Sequence, residues 1–175
     1  TSQVSEKMNF KNSSYLEMSI LSEKDKINQY AILKKSALVI CHQGGIHSYN
    51  QILNTPFLQI NSIPININPV IKEKDIFILK KFYSKKNNRK MNIKEIYENN
   101  LHLYTDYRTL KEKEVELLDN DEEEIFNAMI DILHNKQDSL NEKFKYLLPD
   151  KISFKYSKSK ISPSFLKKNN YLINT

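Results

Sequence analysis

Two adjacent glycines, Gly44 and Gly45, limit the possible folds of this chain more than any other part of its sequence. They are the only glycines among 175 residues, and they follow the continuous apolar run at residues 37–41. Such a run is typical of a strand that is buried on both faces of a sheet. Residues 46–53 then have a helical pattern, and residues 57–60 predict another strand. A strand, a glycine turn, a helix and a strand form a βαβ unit, which predicts a parallel sheet and an α/β fold.

The glycine pair also predicts a binding site for an anion. Glycine at a strand–helix junction permits a left-handed turn and lets a ligand approach the main-chain amides. The N–H groups of Gly45, Ile46 and His47 at the helix start would bind a phosphate or diphosphate, and ligands of open parallel sheets bind beyond the carboxyl ends of the strands. The alternative is that the glycines only make a tight turn. Their spacing excludes the dinucleotide fingerprint and the P-loop.

Two histidines flank the glycines and are candidates for contact with a ligand. His42 and His47 could hydrogen-bond a phosphate or a sugar, or one of them could act as a general base. As alternatives, His47 caps its helix or faces solvent. No third ligand at metal spacing lies nearby, so we expect no metal site. The single cysteine, Cys41, excludes a disulfide framework and is expected to be a small core residue.

Local patterns predict the remaining elements of the chain. They indicate a helix that begins near Lys24, a strand at 75–79, a short helix at 92–100, a hinge-like stretch at 101–109, an edge strand at 115–119 and a helix at 140–148. The clearest helix begins at Asp121, because Glu124 three residues later completes a capping-box spacing. Its expected apolar face is Ile125, Met129, Ile132 and Leu133. Ser162 followed by Pro163 predicts the start of a final helix.

The chain is basic, with 27 lysines and arginines against 21 acidic residues and a formal net charge of +6. Only Arg89 and Arg108 are arginines, and arginine is the residue of bidentate phosphate and base recognition. We therefore expect no nucleic-acid partner. Nine of the basic residues lie between Lys72 and Lys94, and this segment is predicted to be a solvated loop. The other use of such a segment is docking on an anionic membrane surface.

We expect neither a transmembrane segment nor a secretory signal in the given residues. No apolar run approaches the ~20 residues that span a bilayer, and residues 1–22 are polar, without the apolar stretch of a secretory signal. The expected location is the cytoplasm, with contact at the inner face of the cytoplasmic membrane as an open alternative. The chain begins at Thr1 rather than at Met, which indicates a fragment or a trimmed chain.

Several short motifs, taken in order, resemble the donor-binding half of GT-B glycosyltransferases. The segment KKSALVICHQGGIHSYNQILNTPFLQIN is similar to the pattern that these enzymes carry over the strand, turn, helix and strand of the donor site. The motifs SIPI, DIFILKKFYSKKNNRKMNIKEIYE, VELLDNDEEEI and KISPSFLKKNNYLI resemble those of a glycosyltransferase family of bacterial surface-polysaccharide loci. The resemblance covers roughly residues 20–173.

The resemblance implies a Rossmann-like parallel sheet with flanking helices, which is one half of a GT-B architecture, and C-terminal helices. It divides the chain into an N-terminal segment at 1–22, a nucleotide-sugar-binding domain at 23–150 and a C-terminal tail helix at 151–175. It implies transfer of a sugar from a nucleotide-sugar donor to a glycan acceptor in the synthesis of O-antigen, capsule or a related glycan. The donor is a substrate, and neither a cofactor nor a metal is expected.

The resemblance also assigns residues to the donor site. By position, the donor-phosphate loop consists of His42, Gln43, Gly44, Gly45, Ile46 and His47. Many GT-B enzymes hold the donor ribose with a glutamate in the following helix, and Asn50 is among the residues that stand at that place here. The acceptor domain, which usually carries the catalytic base, would precede Thr1. No catalytic residue is therefore assigned.

Two other functions remain open at this point. The chain could be a non-catalytic α/β module that binds proteins or an anionic membrane through the lysines of 72–94. It could also be a related sugar-nucleotide enzyme, such as an epimerase of the same two-domain architecture. The chemistry of the turn does not separate an epimerase from a glycosyltransferase.

Overall fold

The computed structural model describes residues 29–44, 49, 52–63, 65, 72–103, 106–136, 138–150 and 152–174. Within them the helices are α1 (Gln29–Lys35), α2 (Ile93–Glu98), α3 (Tyr107–Glu112), α4 (Glu122–Leu133), α5 (Leu140–Tyr146) and α6 (Pro163–Lys168). The strands are β1 (Val39–Cys41), β2 (Phe57–Ser62), β3 (Ile76–Leu79), β4 (Lys81–Ser84), β5 (Arg89–Lys90), β6 (Val115–Leu118) and β7 (Lys160–Ile161). Short 3-10 turns lie at Leu101–Leu103, Ser153–Tyr156 and Asn170–Leu172. No helix in this described part has the length and apolarity needed to cross a bilayer.

Four strands form a parallel sheet in the order β1-β2-β3-β7. The strands β1 and β2 are those of the predicted βαβ unit, with Val39 opposite Phe57. Phe77 of β3 lies opposite Ile161 of β7. Strand β3 is wholly apolar and buried, and β2 buries Phe57 and Leu58, as is typical of parallel strands that are covered on both faces. Helices flank this sheet, and the prediction of an α/β, Rossmann-like parallel sheet is confirmed.

Strand β1 is shorter and more exposed than predicted. It comprises Val39–Cys41 instead of residues 37–41, and the side chain of Ile40 is 44% exposed. Within the described residues β1 pairs only with β2, so it lies at the edge of the sheet. The prediction that β1 is buried on both faces is wrong. An apolar run in the sequence does not show whether its strand lies at the edge of the sheet, where one face can stay exposed.

The core lies between the parallel sheet and the helices packed on it. Helix α4 contacts β2 and β3, and α6 contacts α4 and α5. The large apolar side chains that are almost fully buried there are Phe57, Leu58, Phe77, Ile78, Phe165 and Leu166. Burial of each such side chain contributes roughly 1.5–3 kcal/mol, so this set is the main favourable term in folding.

Three further strands form an antiparallel sheet in the order β5-β4-β6. Strand β4 begins at Lys81, with one residue between it and β3, and forms a hairpin with β5. Both Lys81 and Phe82 are buried. The prediction of a solvated loop over 72–94 is wrong. It was based on the number of lysines, which does not show that distant segments supply acidic partners for them. The edge strand predicted at 115–119 is confirmed as β6.

Local capping signals locate the helix starts correctly. Asn92 and Glu95 form a capping box at the start of α2, within the helix predicted at 92–100. Ser162 caps α6 and Pro163 is its first residue, as predicted. The hinge-like stretch predicted at 101–109 is wrong, because a 3-10 turn and then α3, capped by Asp106, occupy its described residues.

Helix α4 begins at the predicted cap but buries residues that were not expected to be inside. Asp121 accepts a hydrogen bond from the N–H of Glu124, and the carboxylate of Glu124 accepts one from the N–H of Asp121. In the predicted apolar face Ile132 is buried, whereas Leu133 is 52% exposed. The buried inner face instead includes the carboxylates of Glu124 and Asp131.

The carboxylate of Asp131 ties α4 to the turn between β7 and α6. It accepts hydrogen bonds from Ser162 Oγ at 2.6 Å, from the Ser164 N–H at 2.8 Å and from Ser164 Oγ at 2.7 Å. The ammonium of Lys136 lies 3.1 Å from Oδ1 of Asp131. This satisfied carboxylate holds β7, a strand that the sequence patterns did not predict, in the sheet.

The division of the chain at 150 stays a prediction.

We expect Asp131→Ala to lower the free energy of unfolding by about 3 kcal/mol, because it leaves one buried and two partly buried donors without their acceptor. The measurement is urea unfolding followed by circular dichroism. Glu122→Ala removes an exposed carboxylate from the same helix and serves as the control, which should be nearly neutral. A loss for Asp131→Ala no larger than the loss for the control would contradict this role.

Candidate functional site

The carboxyl edge of the parallel sheet is the candidate site. Its strands end at Cys41, Ser62, Leu79 and Ile161, and parallel strands present all these ends at one edge. Open α/β sheets bind ligands beyond this edge. The residues that follow each strand end therefore determine what the edge can bind.

The turn after β1 is open to solvent. His42 and Gly44 are exposed and Gln43 is half-buried. These three predicted site residues therefore lie directly at the carboxyl end of β1, where a ligand can reach them. The other predicted donor-site residues, Gly45, Ile46, His47 and Asn50, lie outside the described residues, and their roles stay predictions.

The backbone conformation of residue 44 does not require glycine. Its φ lies outside the left-handed region, so the prediction of a left-handed turn is wrong at this residue. A Cβ atom built on Gly44 would meet no heavy atom of the described chain within 4 Å. The described part of the fold would therefore accept a side chain at this position, and within that part the bare backbone faces open space.

Cys41 is a core residue and not a nucleophile. It is buried at the end of β1, as predicted. Burial raises the pKa of its thiol to about 11, and the nearby carboxylate of Asp75 acts in the same direction. The thiol therefore stays protonated at neutral pH, whereas nucleophilic cysteines are thiolates.

A buried amide that the sequence patterns did not predict lies beside the turn. Gln59 lies opposite Cys41 in the register of β1 and β2, and its side chain is fully buried. Its Nε2 donates to Ser62 Oγ at 3.0 Å, whereas its Oε1 has no hydrogen-bond partner within the described residues. Rotation of the amide by 180° would only exchange the two atoms. A single polar residue in the apolar strand sequence FLQI was the available signal.

A bulge brings Gln59 and Ser62 together. The register between β2 and β3 shifts between these two residues, and Asn61 has a left-handed φ of 51°. The N–H of Asn61 donates to Asn120 Oδ1 at 2.7 Å, and the N–H of Asn120 donates to Asn61 Oδ1 at 2.7 Å. Asn120 also donates to the carbonyl of Leu79 at 2.8 Å. This exchange fixes the ends of β2 and β3 to the segment that precedes α4.

A buried ion pair closes the edge beyond β3. Lys81 Nζ lies 2.6 Å from Glu124 Oε2, and both side chains are buried. Glu124 Oε1 accepts from Asn169 Nδ2 at 2.8 Å, so both carboxylate oxygens are occupied. Burial acts to raise the pKa of Glu124, but the hydrogen bonds from Lys81, Asn169 and the Asp121 N–H outweigh it and hold the pKa below its ordinary value. This carboxylate therefore stabilises the fold and does not act as a general acid or base.

The remaining histidines lie away from the turn in the fold. His102 is buried in a 3-10 turn, with its ring centroid 4.3 Å from that of Tyr97. His134 caps the carboxyl end of α4 and is exposed. Among the residues that the structure describes, no three His, Cys, Asp or Glu side chains are grouped in a way that could hold a metal ion.

The depressed pKa of Glu124 predicts a loss of stability in acid. Because the folded-state pKa lies below the unfolded value of about 4.3, its contribution is complete above that value and is lost as the pH falls through the folded pKa. Urea unfolding between pH 7 and pH 3 measures this. Glu124→Gln should be less stable at pH 7 and should lose less stability in acid. Glu122→Gln should keep the parent slope, and equal slopes for all three proteins would contradict the role of Glu124.

Removing the unsatisfied amide of Gln59 should cost no stability when its partner is removed with it. We expect Gln59→Met combined with Ser62→Ala to raise the free energy of unfolding by up to about 1 kcal/mol, because apolar groups replace a half-satisfied polar pair. The control is Ser62→Ala alone, which leaves the amide without a side-chain partner and should be destabilising. A double variant less stable than this control would show that Gln59 is satisfied in the folded protein.

Comparison of the chain with protein-family models, with curated proteins and with solved structures gives no match. Its function is therefore inferred from its own residues.

Proposed function

We propose that this chain is the donor-binding domain of a nucleotide-sugar-dependent glycosyltransferase that acts in the synthesis of a bacterial surface polysaccharide. The observation that carries the proposal is the exposed turn His42–Gln43–Gly44 at the carboxyl end of β1 in a parallel sheet. Open sheets of this kind bind nucleotides at that edge. The resemblance of the surrounding motifs to GT-B enzymes supports the same function.

The proposed ligand at the turn is the diphosphate of the donor. Main-chain N–H groups at the start of a helix attract anions, and the turn leads into the segment whose pattern predicts a helix. The bare backbone of Gly44 leaves room for phosphate oxygens to approach, because no described atom lies where its Cβ would be. His42 and His47 hydrogen-bond the phosphates in this proposal, and Asn50 binds a ribose hydroxyl.

The buried amide of Gln59 gives the proposed site a means of selecting its ligand. A buried polar atom without a partner costs roughly 1–3 kcal/mol, and such atoms in native proteins need an explanation. Oε1 has no exposed surface in the free protein, so in this proposal a ligand N–H or hydroxyl donates to it only if the fold opens beside β1 on binding. A ligand that lacks this donor would leave the amide unsatisfied and would bind more weakly.

The proposed chemistry divides between this domain and an acceptor domain. The bond between the sugar C1 and the phosphate oxygen breaks, and a bond from an acceptor hydroxyl to C1 forms. Main-chain N–H groups at the turn stabilise the negative charge that develops on the departing nucleoside diphosphate. The acceptor proton passes to a base outside this chain, and the reaction needs no metal cofactor.

The test is a thermal-shift panel of UDP, GDP, CMP and an ADP-sugar on the full chain, repeated in EDTA. At 100 times its Kd, a bound nucleotide stabilises the protein by about 2.7 kcal/mol. We expect one nucleotide to raise the Tm, and we expect EDTA to leave that shift unchanged. The absence of any shift would contradict donor binding by this chain.

Substitutions at Gly44 locate the ligand. Gly44→Asp adds a negative charge and bulk where the fold has open space, so it should abolish the nucleotide shift without lowering the Tm of the free protein. The matched control is Ser139→Asp, which adds the same charge before α5. Asn141 of α5 accepts from the Ile161 N–H of β7, so α5 lies near the opposite edge of the sheet from β1. A nucleotide shift that survives Gly44→Asp would place the ligand elsewhere.

A further inference from the structure

Two exposed tyrosines line one groove, far along the chain from the turn of the candidate site. Tyr146 ends α5 and is 82% exposed, and Tyr156 ends the 3-10 turn Ser153–Tyr156 and is 70% exposed. They line a groove of about 610 Å³ together with Glu142, Lys143, Lys145 and Lys155. We call this set of six residues the tyrosine groove. Exposed aromatic rings of this size are candidates for contact with another surface.

The two segments that carry the tyrosines are fixed to each other. Lys145 Nζ donates to the carbonyl of Ser157 at 2.6 Å, and Lys155 Nζ donates to the carbonyl of Leu148 at 2.9 Å. The opposite face of α5 is anchored by Phe144, which is fully buried. The tyrosine groove is therefore a preformed surface, so little ordering entropy would be lost when it binds a partner.

Positive charge surrounds the tyrosine groove. The described residues from 142 to 160 include five lysines, Lys143, Lys145, Lys155, Lys158 and Lys160, against two acidic residues, Glu142 and Asp150. Asp150 pairs with Lys155 at 2.7 Å. Lys143 and Lys158 are exposed and have no ion pair within the described chain. These two ammonium groups are free to attract an anionic surface.

The segment 72–94 has more basic residues but most of its charge is already neutralised. Lys80 pairs with Asp119, Lys85 with Glu116 and Lys94 with Glu98. Two more basic residues of the segment are neutralised: Lys81 by the buried carboxylate of Glu124, and Arg89 by Glu95. Lys74, Lys86 and Lys90 stay exposed without an ion pair in the described chain, but Phe82 is buried and Tyr83 is half-buried. The tyrosine groove therefore differs from this segment in combining unpaired lysines with exposed aromatic rings.

We propose that the tyrosine groove, with Lys143 and Lys158, docks this protein on an anionic phospholipid membrane. Tyrosine suits the headgroup region of a bilayer, because its ring is apolar and its hydroxyl is polar. Lysines near such a surface add electrostatic attraction. The segment contains no arginine, the residue best suited to bidentate contact with nucleic acid or acidic side chains. This proposal is independent of the donor site.

Vesicle sedimentation of the full chain tests the charge. We expect binding to phosphatidylglycerol-rich vesicles and much weaker binding to pure phosphatidylcholine. Lys143→Gln combined with Lys158→Gln should reduce the binding by about fivefold for each lysine removed. The matched control, Lys86→Gln with Lys111→Gln, removes two exposed lysines elsewhere and should bind as the parent does. Equal losses in both double variants, or no vesicle binding, would overturn the proposal.

A tryptophan reporter tests the tyrosines. The chain has no tryptophan, so Tyr146→Trp gives a unique fluorescence signal. Brominated phosphatidylglycerol should quench it, whereas Tyr107→Trp, at a tyrosine that is 76% exposed on α3, should stay unquenched. Equal quenching at both positions would overturn the proposed orientation. Binding of free polyglutamate without binding to vesicles would assign the groove to an acidic protein and overturn the membrane proposal.

Discussion

Two buried carboxylates on helix α4 hold together the parts of this protein. Glu124 binds Lys81 of the antiparallel sheet and Asn169 at the end of α6, and Asp131 binds the turn between β7 and α6. A carboxylate can accept several hydrogen bonds at once, so one side chain can join two segments. The arrangement carries a cost, because loss of any one partner leaves a buried charge incompletely compensated. The orientation of α4 is thus determined by polar contacts as well as by its apolar residues.

These contacts make the two halves of the carboxyl edge different. At β3 and β7 the polar groups are occupied by α4 and α6, and the exchange between Asn61 and Asn120 fixes the end of β2. At β1 the turn is exposed, and the amide of Gln59 keeps one unsatisfied atom. The exposed turn after β1 and the unsatisfied amide of Gln59 are therefore the features on which the proposed donor site depends. The fixed contacts around β2, β3 and β7 would give such a site a rigid support.

The sequence predicted the elements whose signals are local. The helix at 92–100, the caps of α4 and α6 and the strands β2 and β3 depend on residues within a few positions of each other. The hairpin of β4 and β5, strand β7 and the buried side of α4 depend on partners far along the chain, as Lys81 and Glu124 do across 43 positions. For the same reason the turn of the candidate site was predicted, whereas Gln59 was not. Its importance follows from the absence of a hydrogen-bond partner within the described residues, which only three-dimensional contacts reveal.

The distribution of unpaired charge likewise depends on contacts between distant parts of the chain. A lysine attracts an external anion only when its own protein does not already neutralise it, so the number of lysines in a segment is a poor guide to binding. Along 80–94 the acidic partners come from β6, α2 and the start of α4, which were not recognisable as neighbours from the sequence. The described residues of 142–160 include five lysines and two acidic residues, and two tyrosines lie exposed beside them. The net charge of +6 therefore acts where the fold leaves lysines unpaired, and Lys143 and Lys158 beside the tyrosine groove are two such residues.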